Sequence, residues 1–227
     1  MVYVMSDLHG CFRQYQKMLE KIGFCDKDQL YVLGDVVDRG RDGIRILQDM
    51  MQRKNVKLLM GNHDQTACAL LRLLSGPDRK VKADDLDVLV KMWFKDGGYS
   101  TYEAFKKLPA SEQEELLRFM NRMSAFHLIK VGGKKFFLAH TVPGKEKFLA
   151  CVTCTSEDYV WGRPEYDREY SDNLTIVTGH TPTGLIDPKY NGRIYRRNGH
   201  IAVDCGVAFG NPLGCICLNT MDEFYVK

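Results

Sequence analysis

Three short apolar runs in the N-terminal part of the chain each lead into a polar residue able to bind a cation. Val2-Tyr3-Val4-Met5 leads into Asp7, Leu30-Tyr31-Val32-Leu33 into Asp35, and Val56-Lys57-Leu58-Leu59-Met60 into Asn62. Short and rich in β-branched or aromatic residues, the runs predict buried strands. Between them, residues 12–22 and 43–51 place apolar side chains at helical spacing. Strand, helix, strand, helix, strand implies parallel pairing through right-handed crossovers. Ligands in such sheets bind beyond the carboxyl ends of the strands, so Asp7, Asp35 and Asn62 should emerge along one rim.

His140 after Ala139 and His180 after Gly179 extend the pattern. Carboxylate, carboxamide and imidazole groups at element ends are the types that hold two divalent metals side by side, an apparatus for attacking a phosphate ester with activated water. An enzyme is therefore expected. Singly, each position has a plainer meaning: an Asp before a turn is often turn chemistry, and an isolated histidine is often structural. The joint placement at element ends is what favours a site. His127 and His200 lack such company and are assigned to structure or surface.

The stretch from Ser75 to Phe126 departs from the strand-rich pattern. Gly76-Pro77-Asp78 should break the chain, residues 86–94 read as an amphipathic helix, and Ser111-Glu112-Gln113-Glu114 opens another with a capping box. A single domain over residues 1–227 is expected, with a helical insertion at about 75–126 flanking the mouth of the site. Trp93 and Tyr99 are assigned to packing within it.

Composition narrows the picture. With 227 residues, 44% of them hydrophobic, the chain can bury one sizeable core. A net charge of +3 argues against nucleic acid or membrane as partner. Only five residues precede Ser6, too few for the apolar region of a signal peptide, and no run approaches a membrane span. A cytoplasmic protein with no obligate partner is expected. Its eight cysteines should then be reduced thiols. Cys151 and Cys154 lack a second pair to make a zinc or redox motif, Cys215 and Cys217 should share one face of a strand, and Cys205 beside Asp204 is expected near the rim as an oxidation-sensitive thiol.

Asp7-x-His9-Gly10, Gly34-Asp35-x-x-Asp38-Arg39-Gly40, Gly61-Asn62-His63-Asp64 and Gly179-His180-Thr181 follow one another across nearly the whole chain. In that order they resemble the phosphoprotein phosphatase family of metallophosphoesterases, specifically its compact bacterial and phage serine/threonine phosphatases. The resemblance implies an α/β (α+β) protein with the calcineurin-like metallophosphoesterase fold, an αββα sandwich of two mixed sheets packed face to face with helices outside. It implies that Asp7 and His9 hold a first metal, that Asp35 bridges, and that Asn62, His140 and His180 complete the second. Oxygen and nitrogen donors without thiolate suit Mn²⁺, Fe or Zn²⁺ better than Ca²⁺, and the resemblance favours manganese.

The same resemblance makes His63 the general acid, with Asp38 orienting it, and gives Arg39, Arg163 and Asn62 to the substrate phosphate. Arg163 lies in Val160-Trp161-Gly162-Arg163, similar to the Trp-x-Arg segment of those enzymes. The implied substrates are phosphoserine or phosphothreonine proteins, with phosphotyrosine at the margin. Tyr166, Tyr170 and the basic loop from Arg193 to Arg197 could line a phosphopeptide approach or simply be solvated. Two alternatives stand beside this. Symmetrical diadenosine tetraphosphatases share much of the motif set, but typically carry a non-acidic residue where Asp38 stands. A catalytically silent binding module would have lost ligands, and none of the expected positions is missing.

Overall fold

The computed structural model describes residues 1–76 and 82–227, so Pro77 and Asp78 of the expected chain break lie outside it. The described strands are β1 (Val2–Met5), β2 (Gln29–Val32), β3 (Val56–Leu58), β4 (Phe126–Val131), β5 (Lys134–Ala139), β6 (Thr175–Thr178), β7 (Tyr195–Arg197), β8 (His200–Ala202), β9 (Leu213–Cys217) and β10 (Glu223–Val226). They form two five-stranded mixed sheets, ordered β10-β9-β1-β2-β3 and β4-β5-β6-β8-β7. In the first, β1, β2 and β3 run parallel as expected, Val4 opposite Tyr31 and Leu30 opposite Val56, while β9 returns antiparallel to β1. Helices α1 (Phe12–Lys21) and α2 (Gly43–Met51) make the crossovers.

The period of two along the strands sorts side chains into layers. Tyr3 and Met5 join the apolar cluster under the helices, whereas Val4 turns into the cluster between the sheets. Phe136 likewise enters the inter-sheet cluster while Phe137 packs on the outer side with Phe148 and Tyr159. Both faces of both sheets are thus covered, the αββα sandwich of the calcineurin-like fold. Cys215 and Cys217 do share one face. Cys205 differs from expectation: it is buried in the inter-sheet cluster, and burial pushes its thiol up, which removes the thiolate that oxidation needs.

Helix α3 (Asn62–Ser75) starts at the end of β3, and α4 (Ala83–Trp93), α5 (Tyr99–Lys106) and α6 (Ala110–Met120) follow. Acidic Asp84 and Asp85 occupy the first turn of α4, so the helix begins before its apolar face does. Trp93, Phe105, Leu116 and Met120 share one buried cluster with Ile46 and Leu47 of α2. On that shared core we propose a single domain in which these helices form a layer over the first sheet. Among the described residues no helix is long and apolar enough to cross a membrane.

Phe136 fills space between the sheets at 1% exposure. Phe136→Ala should cost about 3–5 kcal/mol, measured as a lower urea midpoint at unchanged slope. A loss below about 1 kcal/mol would contradict the inter-sheet packing.

Candidate active site

Asp7, Asp35, His140, His180 and Asp204 follow β1, β2, β5, β6 and β8, and Asn62 opens α3 just after β3. The chain turns so sharply at these ends that Asp7, His9, Asp35, Asp38, Arg39 and His180 all take positive φ, between 41° and 68°. Outside glycine such angles are uncommon, and they cost on the order of 1–3 kcal/mol each unless their surroundings enforce them. Here they do. Asp7 N donates to Gly34 O at 3.0 Å, His9 N to Asp35 O at 2.9 Å, and Arg39 N to Gly97 O at 3.0 Å. Asp64, buried at the third position of α3, accepts from Asp35 N at 2.7 Å, Val36 N at 3.0 Å and Gly61 N at 3.2 Å. Gly61 must be glycine, since a Cβ there would lie 2.2 Å from Asp35 Oδ1.

The protons of the imidazoles show what the cluster is suited to hold. His140 Nδ1 lies 2.7 Å from the Leu33 carbonyl, which can only accept, so Nδ1 carries the hydrogen. Burial lowers the pKa of His140, leaving a lone pair on Nε2. That lone pair faces Asn62 Oδ1 at 2.9 Å and Asp35 Oδ2 at 3.5 Å, two further acceptors. His9 repeats the arrangement: Nδ1 donates to Val37 O at 2.9 Å, burial pushes its pKa to about 4, and Nε2 lies 3.7 Å from the same Asp35 Oδ2. His180, pushed to about 3 by burial, brings Nδ1 within 2.9 Å of Asn62 Oδ1. His140 Nε2, Asn62 Oδ1 and Asp35 Oδ2 are converging acceptors, which repel one another until a cation stands among them.

Two groups of donors, His9 with Asp35 and His63, and Asp35 with His140 and His180, share the Asp35 carboxylate. Nitrogen and oxygen donors around one common carboxylate fit two divalent ions, and the site is a dinuclear His/Asp cluster. Burial alone would raise the Asp35 pKa, but His140, His9 and His63 outweigh it and hold the group near 2. Asp7 goes the other way, raised well above the usual carboxylate range by burial and by Asp204 and Asp35. Its Oδ2 accepts from His180 N at 2.9 Å, and in the tight group around His9 its expected place is taken by His63.

His63 Nδ1 donates to Asp38 Oδ2 at 2.9 Å. Burial opposes charge on His63, yet its hydrogen bond to Asp38 and the charges of Asp35 and Asp38 raise its pKa. Trp93, expected only to pack, donates Nε1–H to the same Asp38 oxygen at 2.9 Å, and Thr101 Oγ1 donates to the other at 2.6 Å. Arg39 donates Nη1 to His9 Nε2 at 2.6 Å and Nη2 to His63 Nε2 at 3.0 Å, placing a positive charge between two imidazole lone pairs. The exposed Arg163 contacts Gly162 O at 3.0 Å and the His180 ring. Both arginines expected on the phosphate thus face the cluster.

Asp204, buried and pushed up to about 7 by burial, is a further carboxylate outside the candidate ligands expected from the sequence. The signal was present, since Ile201-Ala202-Val203 is one more apolar run leading into an Asp. Thr101 and Trp93 carried none. Tyr166 and Tyr170 are buried, their hydroxyls bonded to Thr178 Oγ1 at 3.0 Å and Pro143 O at 3.0 Å, so neither lines an approach for peptide. His127 and His200 lie on β4 and β8 outside both donor groups.

The calcineurin-like phosphoesterase family model matches residues 1–210. The chain belongs to that family. This calcineurin-like phosphoesterase is 35% identical over 88 residues to the symmetrical bis(5′-nucleosyl)-tetraphosphatase of Buchnera aphidicola, a match covering 38% of the chain and 31% of that relative. It spans less than a third of that enzyme's length. It is 24% identical over 238 aligned positions to the asymmetrical bis(5′-nucleosyl)-tetraphosphatase PrpE of Bacillus cereus, covering 92% of the chain and 87% of the relative. A crystal structure provisionally assigned as a diadenosine tetraphosphatase superposes with a TM-score of 0.68 at 17% identity, over 99% of this chain and 92% of its own.

These relatives correct two expectations. The resemblance to serine/threonine phosphatases of the phosphoprotein phosphatase family does not hold at that level, and the phosphoprotein and phosphopeptide partners it implied fall with it. Asp38 misled because its contacts are to His63, Trp93 and Thr101, an acid–base arrangement independent of what the phosphate is attached to.

Metal binding should be pH-dependent in a defined direction. In the metal-free protein Asp7 is raised and Asp204 sits near 7, so the native state holds protons that the unfolded chain has already released; their stabilising effect is lost as pH rises through the folded values. His9 near 4 and His180 near 3 are already neutral above about pH 5 and release nothing when a cation binds. The gain in melting temperature from added Mn²⁺ should therefore grow from pH 5 to pH 8, toward about 2.7 kcal/mol of stabilisation at a hundredfold excess over Kd. Asp35→Asn should remove most of it. An equal gain at every pH that persists in Asp35→Asn would contradict the shared-carboxylate site.

Proposed function

We propose that this calcineurin-like phosphoesterase hydrolyses phosphoanhydride bonds in bis(5′-nucleosyl) polyphosphates, with a tetraphosphate as first-choice substrate. The observation that carries this reading is the alignment of 92% of the chain with an asymmetrical bis(5′-nucleosyl)-tetraphosphatase, supported by the match to a symmetrical one. Asp7, His9, Asp35, Asn62, His140 and His180 would hold two divalent ions, manganese being our choice and Fe or Zn²⁺ its competitors for such donors. When bound, the ions would polarise the phosphoryl group and generate the nucleophile from water. The chain's own groups do the rest. Arg39 would exchange His9 and His63 for phosphate oxygens, and Arg163 would leave the His180 ring for the same charge, with Asn62 between them. His63, oriented through Nδ1 by Asp38, would present Nε2 to the departing oxygen.

A nucleotide phosphate leaves more readily than an alkoxide, because its second ionisation falls near pH 6. Proton delivery by His63 then matters less for a dinucleotide than for an alkyl phosphate. His63→Asn should slow an alkyl phosphate ester by about 10²–10⁴ and the dinucleotide by a clearly smaller factor. Equal factors on the two substrates would take His63 out of leaving-group protonation.

Substrate class is tested directly. Manganese-loaded protein should split bis(5′-adenosyl) tetraphosphate with kcat/KM at least about tenfold above that for phosphate release from a phosphoserine peptide. Chromatography then reports two ADP for central cleavage, or ATP with AMP for asymmetric cleavage. The reverse preference would sink the nucleotide assignment.

A further inference from the structure

Beside the metal cluster, α3 and α4 bound a groove of about 640 Å³ that reaches Asn62 and His63. Its walls are Leu70 and Leu73 of α3, Leu89, Met92 and Trp93 of α4, and Trp161 at the end of the short helix Asp158–Trp161. Leu89, Met92 and Trp161 are 44%, 65% and 46% exposed, a concentration of open apolar surface of the kind that marks binding sites. The Trp161 indole is pinned by its edge. Its Nε1 donates to Gln65 Oε1 at 2.8 Å, and Gln65 Nε2 donates to Glu157 Oε1 at 2.7 Å. A fixed aromatic face open to water is a platform on which a flat ring can stack at little ordering cost.

We propose that this groove binds a purine nucleobase, with the attached phosphates running past Asn62 and His63 into the metal cluster. The assignment rests on the dinucleotide reading of the site. Among the described residues no lysine or arginine lines the groove, and apart from His63 the one ionisable group there is Asp96, so these walls offer a phosphate no counter-charge, whereas a neutral ring needs none. The volume suits one nucleoside and leaves the other half of a dinucleotide outside. Gln65, Thr66 and Asp96 supply the few polar groups that a base edge would meet.

ADP and inorganic pyrophosphate, compared as inhibitors of aryl phosphate hydrolysis by manganese-loaded protein, isolate the base from the phosphates. ADP should bind about tenfold more tightly than pyrophosphate, the scale on which stacking one base acts. Trp161→Ala should shrink that advantage to about threefold or less, while Trp161→Phe, which keeps a ring, should retain most of it. Leu89→Asp, on the opposite wall and largely exposed, should act like Trp161→Ala without relying on that variant's folding. Binding is also readable without turnover: both tryptophans line the groove, so ADP should quench tryptophan emission where pyrophosphate does not, and Trp161→Ala should remove most of that quench. Equal affinity for ADP and pyrophosphate in the wild type, or an advantage that survives both Trp161→Ala and Leu89→Asp, would overturn the groove assignment. So would weakened phosphopeptide hydrolysis in Trp161→Ala with ADP inhibition untouched, since the groove would then hold a peptide side chain. A wrong tetraphosphatase reading would show elsewhere, in the substrate ranking, with the Trp161-dependent advantage of ADP intact.

Discussion

The structure turns on one buried carboxylate. Asp35 Oδ1 accepts from the backbone of His63 at 3.0 Å, and Oδ2 looks at His9 and His140 from opposite donor groups. Keeping such a group ionised away from water requires positive charge, and the neighbouring imidazoles alone supply it only if they protonate. The lowered pKa values of His9 and His140 show that burial resists this. Asp7 and Asp204, also buried and both raised, add to the tension. A pair of divalent cations resolves all of it at once, because cations take the lone pairs of the imidazoles and the charge of the carboxylates together.

Everything that holds Asp35 in place follows from how two strand ends meet. Asp64 ties the amides after β2 to those before α3, and Gly61 lets the backbones approach closely enough for that tie to form. The helical layer performs the equivalent service for Asp38 and the His63 ring it holds. Trp93 and Thr101 donate to the two oxygens of the Asp38 carboxylate, so Asp38 can stay buried and still hold the His63 ring. Gly98 makes room for this, since a Cβ there would lie 2.2 Å from the Trp93 indole nitrogen. Helices expected only to flank the mouth of the site in part hold the Asp38–His63 pair in place.

Phosphate chemistry and substrate choice separate cleanly in this molecule. Imidazole, carboxylate and guanidinium groups act on a phosphoryl centre whatever is attached to it, so the motifs at Asp7, Asp35 and Asn62 cannot distinguish a phosphoprotein from a dinucleotide. On the reading proposed above, that distinction belongs to neighbouring surfaces such as the groove between α3, α4 and Trp161. Its apolar walls come from residues 69–93 and from Trp161, and nothing in their local pattern separates them from core.

The sequence by itself determined the parallel strands β1 to β3, their crossover helices and the polar residues Asp7, Asp35 and Asn62 just beyond their ends, because period and punctuation are local properties that burial then enforces. Asp204 was equally legible, at the end of its own apolar run. Only the tertiary structure decided which groups share an oxygen, which imidazole nitrogen keeps its proton, and that Trp93 and Thr101 reach Asp38 across 55 and 63 residues. It also placed the Cys205 side chain in the inter-sheet core, just beyond the end of β8. Pairwise geometry across long separations leaves no periodic trace in the chain, since any residue of the right chemistry at the right place in space will serve.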